Sequence, residues 1–130
     1  MLSVLDEPRV FFGETYQPGF PCGFLSRPTR DGILRMKTES PVKFREYWER
    51  ILARLQEFNP QLLLISAGFD AHEQDPLTRI GVPEGTYAWL GQRFAQLRCP
   101  LVCGLEGGYN LDSTRRSAEA FCAQLVHLPD

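Results

Sequence analysis

Two short, uninterrupted apolar runs constrain the fold of this chain more than any other feature of its sequence. Residues 62–66 read LLLIS and residues 101–105 read LVCGL, and each run follows a segment with helical periodicity. Such runs are typical of strands that are buried on both faces of a parallel sheet. Helices that connect parallel strands pack on the faces of the sheet. The sequence therefore predicts an α/β fold.

Three amphipathic segments are predicted as helices. The clearest covers residues 41–58, where Ser40 can cap the first turn and Asn59-Pro60 ends the helix. Its apolar side chains recur at the spacing of one helix face: Phe44, Tyr47, Trp48, Ile51, Leu52, Leu55 and Phe58. Two further helices are predicted over residues 84–97 and 113–125, with Asn110 or Ser113 capping the last one. The predicted order from residue 41 onward is α-β-α-β-α.

The first forty residues are predicted to be less regular. Residues 9–13 and 32–37 each have the composition of a short strand. Residues 14–31 are rich in proline and glycine and are predicted to form a long irregular loop. A loop of this length in a chain of 130 residues is often functional.

Composition excludes several classes of function. The net charge is −2 and basic residues form no stripe, so direct nucleic-acid binding is not expected. No apolar run reaches 18 residues, so no membrane span is expected. The four cysteines form no C-x-x-C pair and are interpreted as reduced residues of a cytoplasmic protein, two or three of them in the core. Phosphate-binding glycine motifs are absent, which disfavours an unrelated flavodoxin-like binding domain.

Polar residues follow both apolar runs, where parallel sheets carry their ligand sites. Asp70, His72, Glu73 and Asp75 come directly after the first run. They could form a metal site in which Asp70 and His72 are both ligands. The alternative is structural, with the carboxylates capping backbone N–H groups of the loop and His72 packed inside it.

The loop after the second run reads Glu106-Gly107-Gly108-Tyr109-Asn110. The two glycines would allow a ligand to approach the backbone closely, or would simply permit a tight strand-to-helix turn. The Tyr109 hydroxyl could donate a hydrogen bond to a developing oxyanion, or the ring could pack over the turn.

Taken together, the two loops resemble the histone deacetylase superfamily. The segment ISAGFDAHEQDPL at residues 65–77 and the segment LEGGYNL at residues 105–111 match this family in motif, order and spacing. The superfamily includes acetoin-utilisation proteins and acetylpolyamine amidohydrolases. The resemblance implies a three-layer, arginase/deacetylase-like α/β fold, with helices on both faces of a parallel sheet. It also implies that residues 1–130 are the C-terminal part of a single deacetylase domain, incomplete at its N-terminal side.

The resemblance assigns roles to particular residues. It makes Asp70 a zinc ligand and Tyr109 the hydrogen-bond donor to the scissile carbonyl oxygen. It does not make His72 a zinc ligand. Leu77, Gly107 and Gly108 would line the channel for the acylated substrate, and Asp75 would be structural. The implied reaction is zinc-dependent hydrolysis of an N-acetyl amide, in acetyl-lysine or another acetylated amine.

The sequence departs from the family pattern in one large respect. The family's other two zinc ligands lie in a D-x-H-x-G-N-G-T motif, which this sequence lacks, and its paired catalytic histidines have no counterpart here, since the only histidines are His72 and His127. The isolated chain is therefore expected to be inactive. Two hypotheses about the chain remain. It is either a segment of a working deacetylase, or a non-catalytic remnant that acts, if at all, by binding a partner. An exposed sheet edge predicts self-association.

Overall fold

A computed structural model of the chain describes residues 7–19 and 32–126. Strand β1 (Phe12–Tyr16) pairs in parallel with strand β2 (Ile33–Lys37). The first predicted strand thus exists but begins three residues later, and Glu14–Tyr16 belong to it rather than to the predicted loop. Pairing with β2 explains this, because the backbone of Phe12 and Tyr16 bonds to Gly32 and Thr38 at the two ends of β2. Residues 20–31 of the predicted loop lie outside the described residues.

Helix α1 (Pro41–Phe58) has the predicted bounds. The Ser40 hydroxyl accepts a hydrogen bond from the Lys43 backbone N–H at 3.2 Å, as expected of an N-cap. Asn59 takes a left-handed conformation with φ 53° at the C-terminal end, where Pro60 follows. Phe44, Ile51, Leu52 and Leu55 are buried, and they all belong to the predicted apolar face.

The remaining elements confirm the predicted order. Strand β3 (Leu63–Ala67) is followed by helix α2 (Glu84–Ala95), strand β4 (Leu101–Leu105) and helix α3 (Leu111–Val126). Strands β3 and β4 are parallel neighbours, with Leu64 opposite Val102. Helix α3 begins earlier than predicted because Asn110 is its cap, and the Asn110 Oδ1 accepts the N–H groups of Asp112 and Ser113.

The hydrophobic core lies on one face of β3 and β4. Side chains from all three helices meet the inward side chains of β3 there, and the buried cluster consists of Phe44, Leu52, Leu55, Phe69, Ala71, Ile80, Val82, Tyr87, Leu90, Phe94 and Phe121. The prediction that residues 62–66 are buried on both faces is wrong for the described part of the chain. Leu64 is 71% exposed and Val102 is 58% exposed, because nothing among the described residues covers the opposite face of the sheet.

The exposure of the cysteines also corrects a prediction. Cys99, Cys103 and Cys122 are free thiols, as expected, but Cys103 and Cys122 are exposed and Cys99 is only partly buried. Cys22 lies outside the described residues. Burial of two or three cysteines was inferred from the apolar run around Cys103, and that run is covered less than its composition suggested. No helix in residues 7–19 and 32–126 is both long and apolar enough to cross a membrane.

Candidate functional site

The two polar loops lie side by side at the carboxyl ends of β3 and β4, as predicted. The Phe69 N–H donates to the Gly107 carbonyl oxygen at 2.8 Å, and the Glu106 N–H donates to the Ala67 carbonyl oxygen at 3.1 Å. These bonds continue the pairing of the two strands past their ends. Residues that are almost forty positions apart in the sequence therefore form one surface.

Asp75 joins the two loops through backbone hydrogen bonds. Its Oδ1 accepts the N–H groups of Leu77 at 2.8 Å and Thr78 at 3.3 Å. Its Oδ2 accepts the N–H of Tyr109 in the other loop at 2.9 Å. This carboxylate is buried and all of these contacts are to backbone, which agrees with the structural interpretation of Asp75.

His72 is turned away from solvent into the protein. Only 1% of the residue is exposed, its ring stacks on Tyr87, and its Nδ1 accepts the Gln74 N–H at 3.0 Å. The backbone beside it forms an isolated parallel bridge to Val82. Because Nδ1 already accepts a hydrogen bond and Nε2 is buried 3.4 Å from Glu84, the ring presents neither nitrogen at the open surface of the site. The pairing of Asp70 with His72 as ligands is therefore not supported.

The Asp70 carboxylate lies against the backbone of Gly107. A Cβ atom at position 107 would stand 2.9 Å from Asp70 Cγ and 3.0 Å from Oδ2, so only glycine leaves room for this carboxylate. Burial raises the pKa of Asp70, and the negative charge of Asp75 adds to that effect, while a hydrogen bond to its own backbone opposes it. Within the described ranges, no basic side chain forms an ion pair with Asp70.

Tyr109 and Leu77 present their side chains at the surface of the site. Tyr109 is 55% exposed and Leu77 is 50% exposed, and the backbone N–H groups of both residues bind the same Asp75 carboxylate. Gly108, between Gly107 and Tyr109, has φ 137°, and a Cβ there would collide with Thr114 of α3. The structure thus brings all five predicted site residues to one end of the sheet.

The residues of this site can offer a metal one ligand. In the described ranges, no group of three His, Cys, Asp or Glu side chains could hold a metal ion. Asp70 itself fits the role, since it is a partly buried carboxylate that has no cationic partner among the described residues and packs against the backbone of Gly107.

Sequence reasoning missed several residues that support the site. Glu84 and Arg116 meet beside His72, and the Thr78 hydroxyl donates to the Asp70 carbonyl oxygen. The buried Tyr87 ring lies beneath the loop, and its pKa is raised by burial and by the negative charges of Asp70 and Asp75. Tyr87 falls inside the helix predicted over residues 84–97, which gives it no role in the site, and no local pattern shows that Glu84 meets Arg116, 32 positions away.

A family model supports the resemblance that the two motifs suggested. The model described as the histone deacetylase domain matches residues 4–125, which is nearly the whole chain. This match includes both motif segments and all three described helices, apart from the last residue of α3.

Individual relatives agree with the family model. The chain is 44% identical over 69 residues to a probable deacetylase of Methanothermobacter thermautotrophicus, covering 53% of this chain and 21% of the relative. It is 33% identical over 144 aligned positions to the chloroplastic histone deacetylase 14 of Arabidopsis thaliana, covering 92% of this chain and 32% of the relative. The crystal structure of an acetylpolyamine aminohydrolase from Burkholderia pseudomallei superposes with a TM-score of 0.70 at 28% identity, covering 88% of this chain and 37% of that one. The chain therefore spans between about a fifth and two fifths of the length of these proteins.

Proposed function

The chain belongs to the histone deacetylase domain family, and we propose that it serves zinc-dependent hydrolysis of an N-acetyl amide by contributing one zinc ligand, Asp70, and one oxyanion-stabilising donor, Tyr109. The observation that carries this proposal is the Asp70 carboxylate. It is partly buried, lacks a basic partner among the described residues, and lies against the backbone of Gly107, whose missing side chain makes room for it. A carboxylate in such a place is destabilised unless a cation binds it.

Zinc is the metal that the family implies for this site. When bound, it supplies a Lewis acid that polarises the amide carbonyl. A catalytic zinc takes three protein ligands and keeps an open position. Asp70 supplies one of them, so we propose that the other two come from outside the described residues. As part of this proposal, residues 1–130 are the C-terminal part of a single deacetylase domain.

Tyr109 is proposed to donate its phenolic hydrogen to the carbonyl oxygen of the substrate. Its backbone is fixed by Asp75 and its side chain is more than half exposed, so the hydroxyl can reach a bound ligand. A donor of this kind is typically worth about 3–4 kcal/mol in the transition state, or roughly 10²–10³ in rate.

The substrate is proposed to reach this site along Leu77, Gly107 and Gly108. Leu77 offers a half-exposed apolar surface to an aliphatic chain. Gly107 and Gly108 carry no side chain, and Asp70 and Thr114 occupy the space that a Cβ atom would fill at these two positions. Acetyl-lysine and other acetylated amines both satisfy this chemistry. The cytoplasmic location inferred from the reduced cysteines stays a prediction.

A chimera tests these roles directly. Residues 41–126 would replace the matching segment of the Burkholderia acetylpolyamine aminohydrolase, whose structure superposes on this chain. We expect chelator-sensitive release of acetate, loss of zinc with Asp70→Ala, and a kcat lowered about 10²–10³-fold with unchanged zinc content for Tyr109→Phe. Tyr47→Phe on α1 is the matched control and should change neither quantity. A folded Asp70→Ala chimera that keeps its zinc and its activity would contradict the proposal.

The non-catalytic alternative applies to the isolated chain and rests on the single metal ligand among the described residues. In that case the 130-residue chain binds zinc weakly and hydrolyses no acetylated amine. Tight, stoichiometric zinc binding together with acetate release by the isolated chain would exclude it.

A further inference from the structure

A side-chain network joins the Asp70 loop to helices α2 and α3. The Arg116 Nε donates to Glu84 Oε1 at 2.5 Å, and an Nη of the same guanidinium donates to the Gln74 side-chain oxygen at 2.8 Å. The second Nη bonds to Asp112. Glu84 Oε1 also lies 3.4 Å from His72 Nε2. Side chains of two helices therefore reach two residues of the loop, Gln74 through a hydrogen bond and His72 through a 3.4 Å contact.

The orientation of His72 makes Glu84 its natural partner. Because Nδ1 accepts the Gln74 N–H, a neutral imidazole must carry its hydrogen on Nε2. That nitrogen is fully buried and makes no hydrogen bond within the described residues, since the 3.4 Å contact is longer than an ordinary bond. A small movement of Glu84 would close this contact, and a buried donor strongly favours such closure.

We propose that Glu84 and Arg116 are positioning residues that act through His72 and Gln74 to hold the loop carrying Asp70. The inference rests on the proposed function, because it concerns the orientation of Asp70 as the candidate zinc ligand. Asp70 precedes His72 by two positions, so a shift of the histidine moves the ligand. Neither Glu84 nor Arg116 touches substrate or metal in this arrangement.

The electrostatics agree with this assignment. The hydrogen bond from Arg116 holds the pKa of Glu84 below its usual value, and the nearby His72 acts in the same direction. Glu84 is therefore ionised at neutral pH and can accept hydrogen bonds from Arg116 and His72 together. The Glu84 and Arg116 side chains are 38% and 30% exposed, and this partial shielding distinguishes the pair from the open Arg115–Glu119 pair on α3.

Amide hydrogen exchange of the 130-residue chain, followed by NMR, tests without zinc or substrate whether Glu84 and Arg116 hold the loop that carries Asp70. We expect Glu84→Ala to speed exchange at Gln74, Asp75 and Tyr109 at least tenfold, with less than a twofold change in α1. Glu84→Gln keeps an acceptor oxygen and should restore part of the protection. Arg116→Lys loses the forked donor and should resemble Glu84→Ala. Glu119→Ala, which removes a carboxylate that pairs with Arg115, is the matched control and should leave the loop unchanged.

Two further measurements distinguish a positioning role of Glu84 from a general effect on the stability of the fold. The imidazole ¹⁵N spectrum should show hydrogen on Nε2, and that resonance should move with Glu84→Gln although the fold is retained. In the chimera, Glu84→Ala should weaken zinc binding about tenfold or more, as is usual for residues that orient metal ligands, whereas Glu119→Ala should not. Uniform acceleration throughout the chain, or an unchanged loop, would overturn the positioning role and leave the roles of Asp70 and Tyr109 intact. A wild-type chimera without zinc-dependent activity would instead contradict the proposed function.

Discussion

The Oδ2 atom of Asp75 accepts the backbone N–H of Tyr109 at 2.9 Å, across 34 positions of sequence. The other oxygen of the same carboxylate holds Leu77 and Thr78. One buried side chain therefore fixes the spacing between the candidate oxyanion donor and the loop that carries the candidate zinc ligand. The two motifs in the sequence are linked physically by this residue.

Replacement of Asp75 tests how strongly that link stabilises the chain. Asp75→Ala leaves three backbone N–H groups without their acceptor, and we expect the free energy of unfolding to fall by about 3 kcal/mol. Asp75→Asn keeps one acceptor oxygen and should cost roughly half as much. Glu73→Ala removes an exposed carboxylate from the same loop and should change stability by less than about 0.5 kcal/mol. Equal small losses in urea denaturation of all three variants would show that Asp75 does not hold the loops together.

Asp70 should make the metal-free chain less stable as pH rises. Its pKa is raised by burial, so the folded state binds this proton more tightly than the unfolded state does. The stabilising effect of protonation is complete below the usual aspartate pKa and is lost as pH rises through the raised value. We therefore expect Asp70→Asn, in the presence of chelator, to be more stable than wild type above that value.

Paired urea denaturation curves between pH 3 and pH 7 measure this difference. The gap between wild type and Asp70→Asn should open as pH rises and then stay constant. A mutant that is less stable by the same amount at every pH would mean that Asp70 has a favourable partner in the folded chain.

Much of the fold could be predicted because its signals are local. The apolar periodicity of α1, with Ser40 before it and Asn59 after it, depends only on residues within one helix, and its bounds are correct. The start of β1 was misplaced because strand pairing with β2 is set by a distant segment. Burial of Leu64 was overestimated for the same reason, since an apolar run does not specify which of its faces has a covering layer.

The candidate site likewise contains residues that could be predicted from local sequence and residues that could not. Asp70, Leu77, Gly107, Gly108 and Tyr109 could be named because two contiguous motifs contain them, and the strand order brought the motifs together. Their roles in catalysis remain proposals. Glu84, Arg116 and Tyr87 could not be found, since each acts through contacts between helices and the loop that no sequence spacing encodes.

Gly108 should tolerate no side chain. Its φ of 137° is unfavourable for other residues, and a Cβ would collide with Thr114 at the start of α3. We expect Gly108→Ala to lower the free energy of unfolding by on the order of 3 kcal/mol, through backbone strain and overpacking together. Gly85→Ala is the control, because a Cβ there meets no atom within 4 Å, and α2 should gain up to about 1 kcal/mol in helix propensity. Thermal denaturation of the two variants should therefore shift in opposite directions.

The Tyr87 hydroxyl is a buried polar group without a hydrogen-bond partner in the described residues. Tyr87→Phe keeps the ring contacts with Phe69 and His72 and removes the uncompensated hydroxyl. We expect the variant to be as stable as wild type or more stable by about 1 kcal/mol. A loss greater than 1 kcal/mol in urea denaturation would show that the hydroxyl has a partner in solution.

The open face of β3 and β4 should drive self-association of the isolated chain. Leu64 and Val102 are cross-strand neighbours in the parallel register, so their exposed side chains form one continuous apolar patch. Threonine has similar strand propensity and a polar surface, and the double variant Leu64→Thr with Val102→Thr should keep the sheet while weakening contacts between copies.

Light scattering across a concentration series should show oligomers of the wild type and at least a tenfold higher dissociation constant for the variant. Val42→Thr, at an exposed position of α1, is the control and should associate like wild type. A monomeric wild type at all concentrations would mean that this patch is too small to hold two copies together, and the prediction of self-association would be wrong.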